Sequence, residues 1–387
     1  MNVKKTKLLF YSGKRGGINH FIPIINKLAK RNSFNLNLLL SDMHLSKKFG
    51  LTHKNYKKLK IKTHTSNTLN QNYNGSKFER ALSLSTGMKK NIMILKKVKP
   101  DLLIVLGDRA ELYSISVPAL IFNIPIAHFY GGDLTQGCTD EPTRHSISMI
   151  SNFHFVSNLK SKENLIKLRI DKKKIFNVGL LSLHSIDKKK LENKKNIFKK
   201  YNLDIDKKLF IIIQHPETWR LSNTEDQIKN TLAALKDFNA NKVFIYPCSD
   251  PGYKIIINEL KKNLLNDSMS RIFKDINYKD FYSLFLNANL IIGNSSCGIL
   301  ESYYFNTPAI NLGERQKNRY QTKNILNCNF AKKNIVLKIR QALKKKNIQK
   351  KRDSFYYNKH GLNNIYEIFR NLNYNKVSNF KQILKFK

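Results

Sequence analysis

The chain has 387 residues and a formal net charge of +43, from 70 Lys and Arg against 27 Asp and Glu. Hydrophobic residues make up 41% and aromatics 11%, which supports packed cores and excludes a disordered chain, and the length suits two domains of ordinary size. The basic excess is mostly Lys, spread along the whole chain beside abundant Asn and Ile, whereas a nucleic-acid surface concentrates Arg and aromatics on one element; nucleic acid is therefore set aside as a partner.

The most apolar stretch, Leu102 to Tyr130, is interrupted by Asp108, Arg109 and Glu111, so no membrane span or membrane partner is expected. Residues 1–12 are apolar only over Leu8–Tyr11, too short for a signal-peptide core. Cys138, Cys248, Cys297 and Cys328 lie far apart without metal-ligand spacing. They read as free thiols of a reducing compartment, which implies a cytoplasmic protein with no metal site.

In chain order, short apolar runs alternate with longer amphipathic stretches, the signature of βα units and a parallel sheet. Lys7–Tyr11 is a predicted strand, followed by the turn Ser12-Gly13-Lys14-Arg15-Gly16-Gly17 and a helix from Ile18. Asn35–Leu40 reads as a strand and Ser76–Val98 as a helix with Pro100 just past its end. Asp101–Gly107 is a strand, Ala110–Phe122 a helix and Pro125–Phe129 a strand; the polar loop Tyr130–Thr139 then precedes a helix opened by Pro142. After the Lys-rich stretch Asp187–Lys208 the pattern restarts: strand Leu209–Gln214, helix Thr224–Phe238, strand Lys242–Tyr246, helix Pro251–Leu265, strand Leu290–Gly293, helix Cys297–Phe305 and strand Pro308–Leu312. The expected organisation is two doubly wound α/β halves, residues 1–178 and 179–355. A C-terminal segment, 356–387, follows, with a helix Tyr356–Leu372 that packs back on the first half. A cleft between two such halves lies at the carboxyl ends of both sheets.

Five motifs follow those strands. In Gly293-Asn294-Ser295-Ser296-Cys297-Gly298-Ile299-Leu300-Glu301 a strand runs into a glycine and two hydroxyls before a helix, which makes a diphosphate site; Glu301, just over a turn later, suits ribose hydroxyls. Ser is also a favoured N-cap, so capping alone explains part of the pattern. Gly107-Asp108-Arg109-Ala110-Glu111 places a carboxylate at a strand end, with Arg109 able to hold a phosphate or tune Asp108; an N-capping Asp beside a solvated Arg is the bland alternative. The stretch His128 to His145 gathers Asp133, Asp140, Glu141, Arg144 and His145 in a glycine-rich loop and one helical turn, with Glu141, Arg144 and His145 on one face. A purely structural loop seldom gathers so many ionisable groups. His215, in Gln214-His215-Pro216-Glu217-Thr218, would point into the cleft, and Arg315 and Arg319, four apart, can clamp a diphosphate.

Together and in this order the motifs GDR-x-E, H-x-x-GGD-x-T-x-G-x-x-DE-x-x-RH, HPET and GNSS-x-G-x-x-E resemble the hydrolysing UDP-N-acetylglucosamine 2-epimerases of sialic and related nonulosonic acid synthesis. They also resemble, more distantly, the non-hydrolysing epimerases. The resemblance runs from about Asp101 to Arg319. It implies the GT-B architecture and a UDP-2-acetamido sugar as substrate, with no cofactor and no metal; a homo-oligomer is compatible with it. It implies catalytic carboxylates at Asp108, Asp133, Asp140 and Glu141, with His215 near the sugar and diphosphate. Arg144 and His145 would support the loop, Ser295, Ser296, Gly298 and Glu301 would hold diphosphate and ribose, and Arg15, Arg109, Arg315 and Arg319 would lie near the nucleotide. The implied chemistry is anti elimination of UDP to a 2-acetamidoglucal, then water addition to give the free 2-epimer, ManNAc in the UDP-GlcNAc case. The family's Arg-x-Asp-Tyr after the first strand is Arg15-Gly16-Gly17-Ile18 here, a departure on the sugar side that leaves a relative such as UDP-diacetylbacillosamine as the alternative substrate to UDP-GlcNAc. A GT-B glycosyltransferase using a UDP-sugar is the competing reading.

Overall fold

The structure is a computed structural model that describes residues 5–56, 59, 61–69, 73–264, 267–344, 355–372 and 374. Its strands form two wholly parallel sheets. The first holds β1 (Thr6–Ser12), β2 (Phe34–Ser41), β3 (Lys62–Ser66), β4 (Leu102–Leu106), β5 (Ile126–Phe129), β6 (Phe153–Val156) and β7 (Ile175–Asn177) in the order β3-β2-β1-β4-β5-β6-β7. The second holds β8 (Lys208–Ile213), β9 (Ala240–Ile245), β10 (Ser270–Phe273), β11 (Leu290–Gly293), β12 (Ala309–Leu312) and β13 (Ile325–Cys328) in the order β10-β9-β8-β11-β12-β13. Both sheets follow the doubly wound order, and the direction of winding reverses between β1 and β4 and between β8 and β11. The fold is α/β with a GT-B-like pair of Rossmann halves.

The central strands are apolar throughout because helices cover both faces of a parallel sheet. Leu8, Leu9 and Phe10 in β1, Leu102 to Val105 in β4, and Leu209 to Ile212 in β8 are all buried. Helix α1 (Ile18–Leu28) turns Ile18, Phe21, Ile22, Ile24, Ile25 and Leu28 into the core. Helix α2 (Lys77–Val98) starts as the capping pattern requires, the Ser76 hydroxyl accepting the Glu79 N–H. Helices α3 (Tyr113–Ile121), α4 (Asp140–Met149) and α5 (Leu159–Lys167) complete the connections of the first sheet.

The expected helix Cys297–Phe305 is instead two short pieces, Ser296–Leu300 and Ser302–Phe305, interrupted at Glu301. Ser302 donates its hydroxyl back to the Gly298 carbonyl at 2.6 Å, and the Glu301 carboxylate is held sideways by Tyr282 and Ser182. Leu265 and residues 375–387, included in the expected helix and tail, lie outside the described residues.

The last helix, Gly361–Asn371, lies on α1 and on the first sheet: Phe369 meets Phe155 edge-on at 5.6 Å and Tyr366 meets Phe34 at 6.5 Å. Gly361 makes this possible. A β-carbon there would fall 1.9 Å from the Val178 carbonyl oxygen.

His20, His44 and His154 are pushed down to about 3, and His128 to about 4, chiefly by burial. Such groups are neutral in the fold but take up a proton on unfolding below their ordinary 6.5. Their contribution is therefore complete above 6.5 and is lost as pH falls towards their depressed values. His154→Leu, which removes one of them, is expected to flatten the fall in urea midpoint between about pH 7 and about pH 5 relative to the parent protein.

Candidate active site

A cavity of about 720 Å³ opens where the carboxyl ends of the two sheets face each other. It lies over both places where the winding reverses, which is where open α/β sheets bind ligands. From the first sheet come the turn after β1 (Ser12 to Gly17), Asp108 and Arg109 after β4, and Asp133 after β5. From the second come His215 after β8, Tyr246 and Cys248 after β9, Ser295 to Cys297 and Glu301 after β11, and Arg319.

Gly293 lets β11 end against β8. Its φ is +134°, and a β-carbon would sit 2.0 Å from the Ile213 carbonyl oxygen, so no other residue fits. The chain then turns into the site. Ser295 occupies the N-cap position without using its hydroxyl to cap, and the Ser296 hydroxyl has no hydrogen-bond partner among the described residues. Gly298 does not line the cavity; it packs behind the segment, its β-carbon position 3.6 Å from Ile291. Glu301 does line it, accepting hydrogen bonds from Tyr282 at 2.6 Å and Ser182 at 3.1 Å. Burial pushes its carboxyl up against the opposing pull of those two donors and of Lys14.

Asp108 is a carboxylate of the cavity wall held firmly ionised. Burial would raise its pKa, but Arg144, Lys14 and Arg319 together hold it well below the usual carboxylate range. Arg144 donates to it directly, and Arg319 lies 3.9 Å away. Asp133 lies 3.2 Å from Arg319 Nε and accepts from Ser161 Oγ and from Asn158 Nδ2. His215 accepts the Cys248 N–H on Nδ1 at 3.1 Å, which places the proton of its neutral ring on Nε2. Burial, aided by Arg315, depresses its pKa far below 6.5, so it is a hydrogen-bond donor to the cavity and not a cation.

The remaining expected residues lie behind the cavity wall. Arg144, among the largest fully buried side chains, spends its fork on Asp108, the Asp133 carbonyl (2.8 Å) and Thr135 Oγ1 (3.1 Å). Glu141 accepts the Thr135 N–H and so closes the loop on itself. Asp140 pairs with Arg315 at 3.0 Å, burial and Asp108 raising its pKa while Arg315 opposes. His145 is half-buried beside Arg144, and burial lowers its pKa. Asp140, Glu141, Arg144, His145 and Arg315 therefore do not touch the cavity. The loop that carries the acidic pair docks the second sheet: Gln136 N–H reaches the Lys317 carbonyl (3.2 Å) and Thr139 N–H reaches Thr218 Oγ1 (3.0 Å).

Arg15 and Arg109 face the cavity but are anchored to protein. Arg15 donates through Nη2 to the Tyr246 and Pro247 carbonyls at 2.9 and 3.2 Å, and its Nη1 lies 4.0 Å from the Asp275 carboxylate. Arg109 binds Glu111 at 2.9 Å, Asp250 at 2.5 Å and Ser249 at 2.9 Å. Glu111 also receives Arg80, which binds Asp42 at 2.5 Å, and Asp42 accepts the Ser249 hydroxyl at 2.9 Å. The result is a closed ring of buried charges and one hydroxyl spanning both sheets. Asp42, Arg80, Asp250 and Tyr282 escaped the sequence reading. Asp42 and Asp250 carried a usable signal, since each follows the end of a strand as the recognised motifs do. Arg80 and Tyr282 lie inside helices and carried none.

Among the described residues no group of three or more His, Cys, Asp or Glu is placed to hold a metal ion, and no helix is long and apolar enough to cross a membrane.

Residues 26–370 match the family described as UDP-N-acetylglucosamine 2-epimerase. The chain belongs to the UDP-N-acetylglucosamine 2-epimerase family. Within this family it is 34% identical over 328 residues to a Campylobacter jejuni protein named GDP/UDP-N,N'-diacetylbacillosamine 2-epimerase (hydrolyzing), with 84% of each chain covered. It is 27% identical to the Legionella pneumophila UDP-N,N'-diacetylbacillosamine 2-epimerase (hydrolyzing), covering 89% of this chain and 90% of that one. The crystal structure of the Neisseria meningitidis UDP-GlcNAc 2-epimerase bound to UDP-GlcNAc superposes with a TM-score of 0.76 at 17% identity, covering 95% of this chain and all of the other, a likeness of fold.

Arg109→Met should test the buried ring. Glu111 and Asp250 would lose their cation, and breaking a buried pair costs ~3–5 kcal/mol, read as a lowered urea midpoint at unchanged slope.

Proposed function

We propose that the chain is a hydrolysing 2-epimerase that takes a UDP-2-acetamido sugar and water to UDP and the free 2-epimer, with a diacetylbacillosamine-type sugar preferred over UDP-GlcNAc. The observation that carries this reading is the cavity itself, which sets Asp133 and the ionised Asp108 on one sheet against the Ser295 and Ser296 hydroxyls and Glu301 on the other. The hydrolysing, diacetylbacillosamine-specific names of the Campylobacter and Legionella relatives support the sugar and the fate of UDP. The free 2-epimer would feed nonulosonic acid synthesis, in keeping with the resemblance of the motifs.

Chemically, the C2 proton of the sugar passes to a carboxylate while the C1–oxygen bond to the diphosphate breaks, leaving UDP and a C1–C2 double bond. Water then adds, its oxygen at C1 and a proton at C2 on the opposite face. Asp108 is held as the anion, the form that can accept a proton, while Arg144 beside it lowers its basicity. His215 Nε2–H and the serine hydroxyls can meet charge developing on the leaving oxygen.

Proton NMR in heavy water with UDP-diacetylbacillosamine and UDP-GlcNAc is the test. Free 2-epimer carrying deuterium at C2, with UDP as the other product, is expected without any sugar acceptor. A product that stays UDP-linked, or a strict need for an acceptor, would refute the reading. Asp108→Asn and Asp133→Asn should lower turnover ~10²–10⁴-fold while UDP affinity stays near that of the parent protein. Glu141→Gln, behind the wall, should lower it less.

A further inference from the structure

Lys14 belongs to the turn between β1 and α1 and is half-buried at the cavity wall. Its backbone is clamped: the Lys14 carbonyl accepts the Ser12 hydroxyl at 3.2 Å and the Gly17 N–H at 3.0 Å. Gly13, just before it, passes so close to Glu111 that a β-carbon would lie 2.6 Å from that side chain. The ammonium, by contrast, has no hydrogen-bond or ion-pair partner among the described residues. The turn itself offers none, since Gly17 stands where the resembled family carries Asp and no carboxylate occurs from Ser12 to His20.

The other cations of the cavity are committed. Arg15 is pinned to two carbonyls, Arg109 to Glu111, Asp250 and Ser249, and Arg319 to Gln316 and Asp133. Lys54 is exposed at the rim. His20 contributes no charge, being neutral and bonded to the Tyr130 hydroxyl. Lys14 lines the same cavity as Asp108 of the first sheet and His215, Ser295, Ser296 and Glu301 of the second.

Resting on the function proposed above, we propose that Lys14 is the cation that receives the diphosphate of the nucleotide sugar and neutralises the leaving group. As the C1–oxygen bond breaks, its electron pair stays on the β-phosphate oxygen. Lys14 remains protonated and donates a hydrogen bond to that oxygen, so no proton changes hands. An unpaired ammonium and the serine hydroxyls in one cavity are the groups that a diphosphate requires. It also accounts for a charged side chain left without a protein partner in a cavity wall.

Calorimetry with UDP, UMP and uridine on the parent protein, Lys14→Met and Lys14→Arg tests this. Lys14→Met should weaken UDP at least ~10-fold, UMP less, and uridine not measurably, while Lys14→Arg keeps UDP within a few-fold of the parent. UDP affinity in Lys14→Met within twofold of the parent would overturn the assignment. So would an equal loss of UDP and uridine, which would mark Lys14 as a scaffold residue. A parent protein that binds no UDP would overturn the functional reading itself, and this proposal with it.

Discussion

Arg109 begins on the first sheet and ends on the second, and much of the site depends on where its guanidinium goes. Its partners Glu111 and Asp250 come from the two sheets, and the ring closes through Ser249, Asp42 and Arg80. Charges buried this deeply survive only in mutual contact, because an isolated one would lose far more in hydration than its surroundings return. The ring therefore favours one arrangement of the two halves over others. Any sliding of one sheet past the other would strand a carboxylate or a guanidinium without water. The neighbouring contacts, Arg15 to the Tyr246 and Pro247 carbonyls and the Tyr73 hydroxyl to the Ser249 carbonyl at 2.5 Å, act in the same sense.

That arrangement gives the cavity its division of labour. On one wall Asp108 is kept ionised by Arg144, Lys14 and Arg319 against the cost of burial. Across the cavity Glu301 is pushed the other way, and its oxygen is occupied by Tyr282 and Ser182. Carboxyls whose surroundings push their affinities for protons apart can take different roles at one pH. The acidic pair of the loop, Asp140 and Glu141, belongs to neither wall. Asp140 ties this segment to Arg315 of the second half, and Glu141 holds the backbone of the loop before α4, so these carboxylates shape the loop without facing the cavity.

The fold class was legible because parallel sheets buried on both faces demand continuous apolar strands, and β1, β2, β4, β5, β8, β9, β11 and β12 have them. Of the strands that the pattern missed, β3, β7, β10 and β13 lie at sheet edges, where the sequences Lys62–Ser66, Ile175–Asn177, Ser270–Phe273 and Ile325–Cys328 are short and partly polar. An edge strand needs only one neighbour and little burial, so it leaves a weak trace. β6 was missed as well, its four residues being too few for a period to show.

By itself the sequence determined which residues stand at the carboxyl ends of the strands, since strand and turn are local properties written in hydrophobic runs and glycines. That was enough to bring Asp108, Asp133, His215, Ser295, Ser296, Glu301, Arg15, Arg109 and Arg319 to one cavity. Only the tertiary structure decided which way each charged group faces. The choice between substrate and protein partner is made by groups more than a hundred residues away, as when Asp250 claims Arg109 (141 residues) and Asp140 claims Arg315 (175 residues) while Lys14 is left unclaimed. Pairing of buried charges is a long-range constraint, and no local pattern in the chain encodes it.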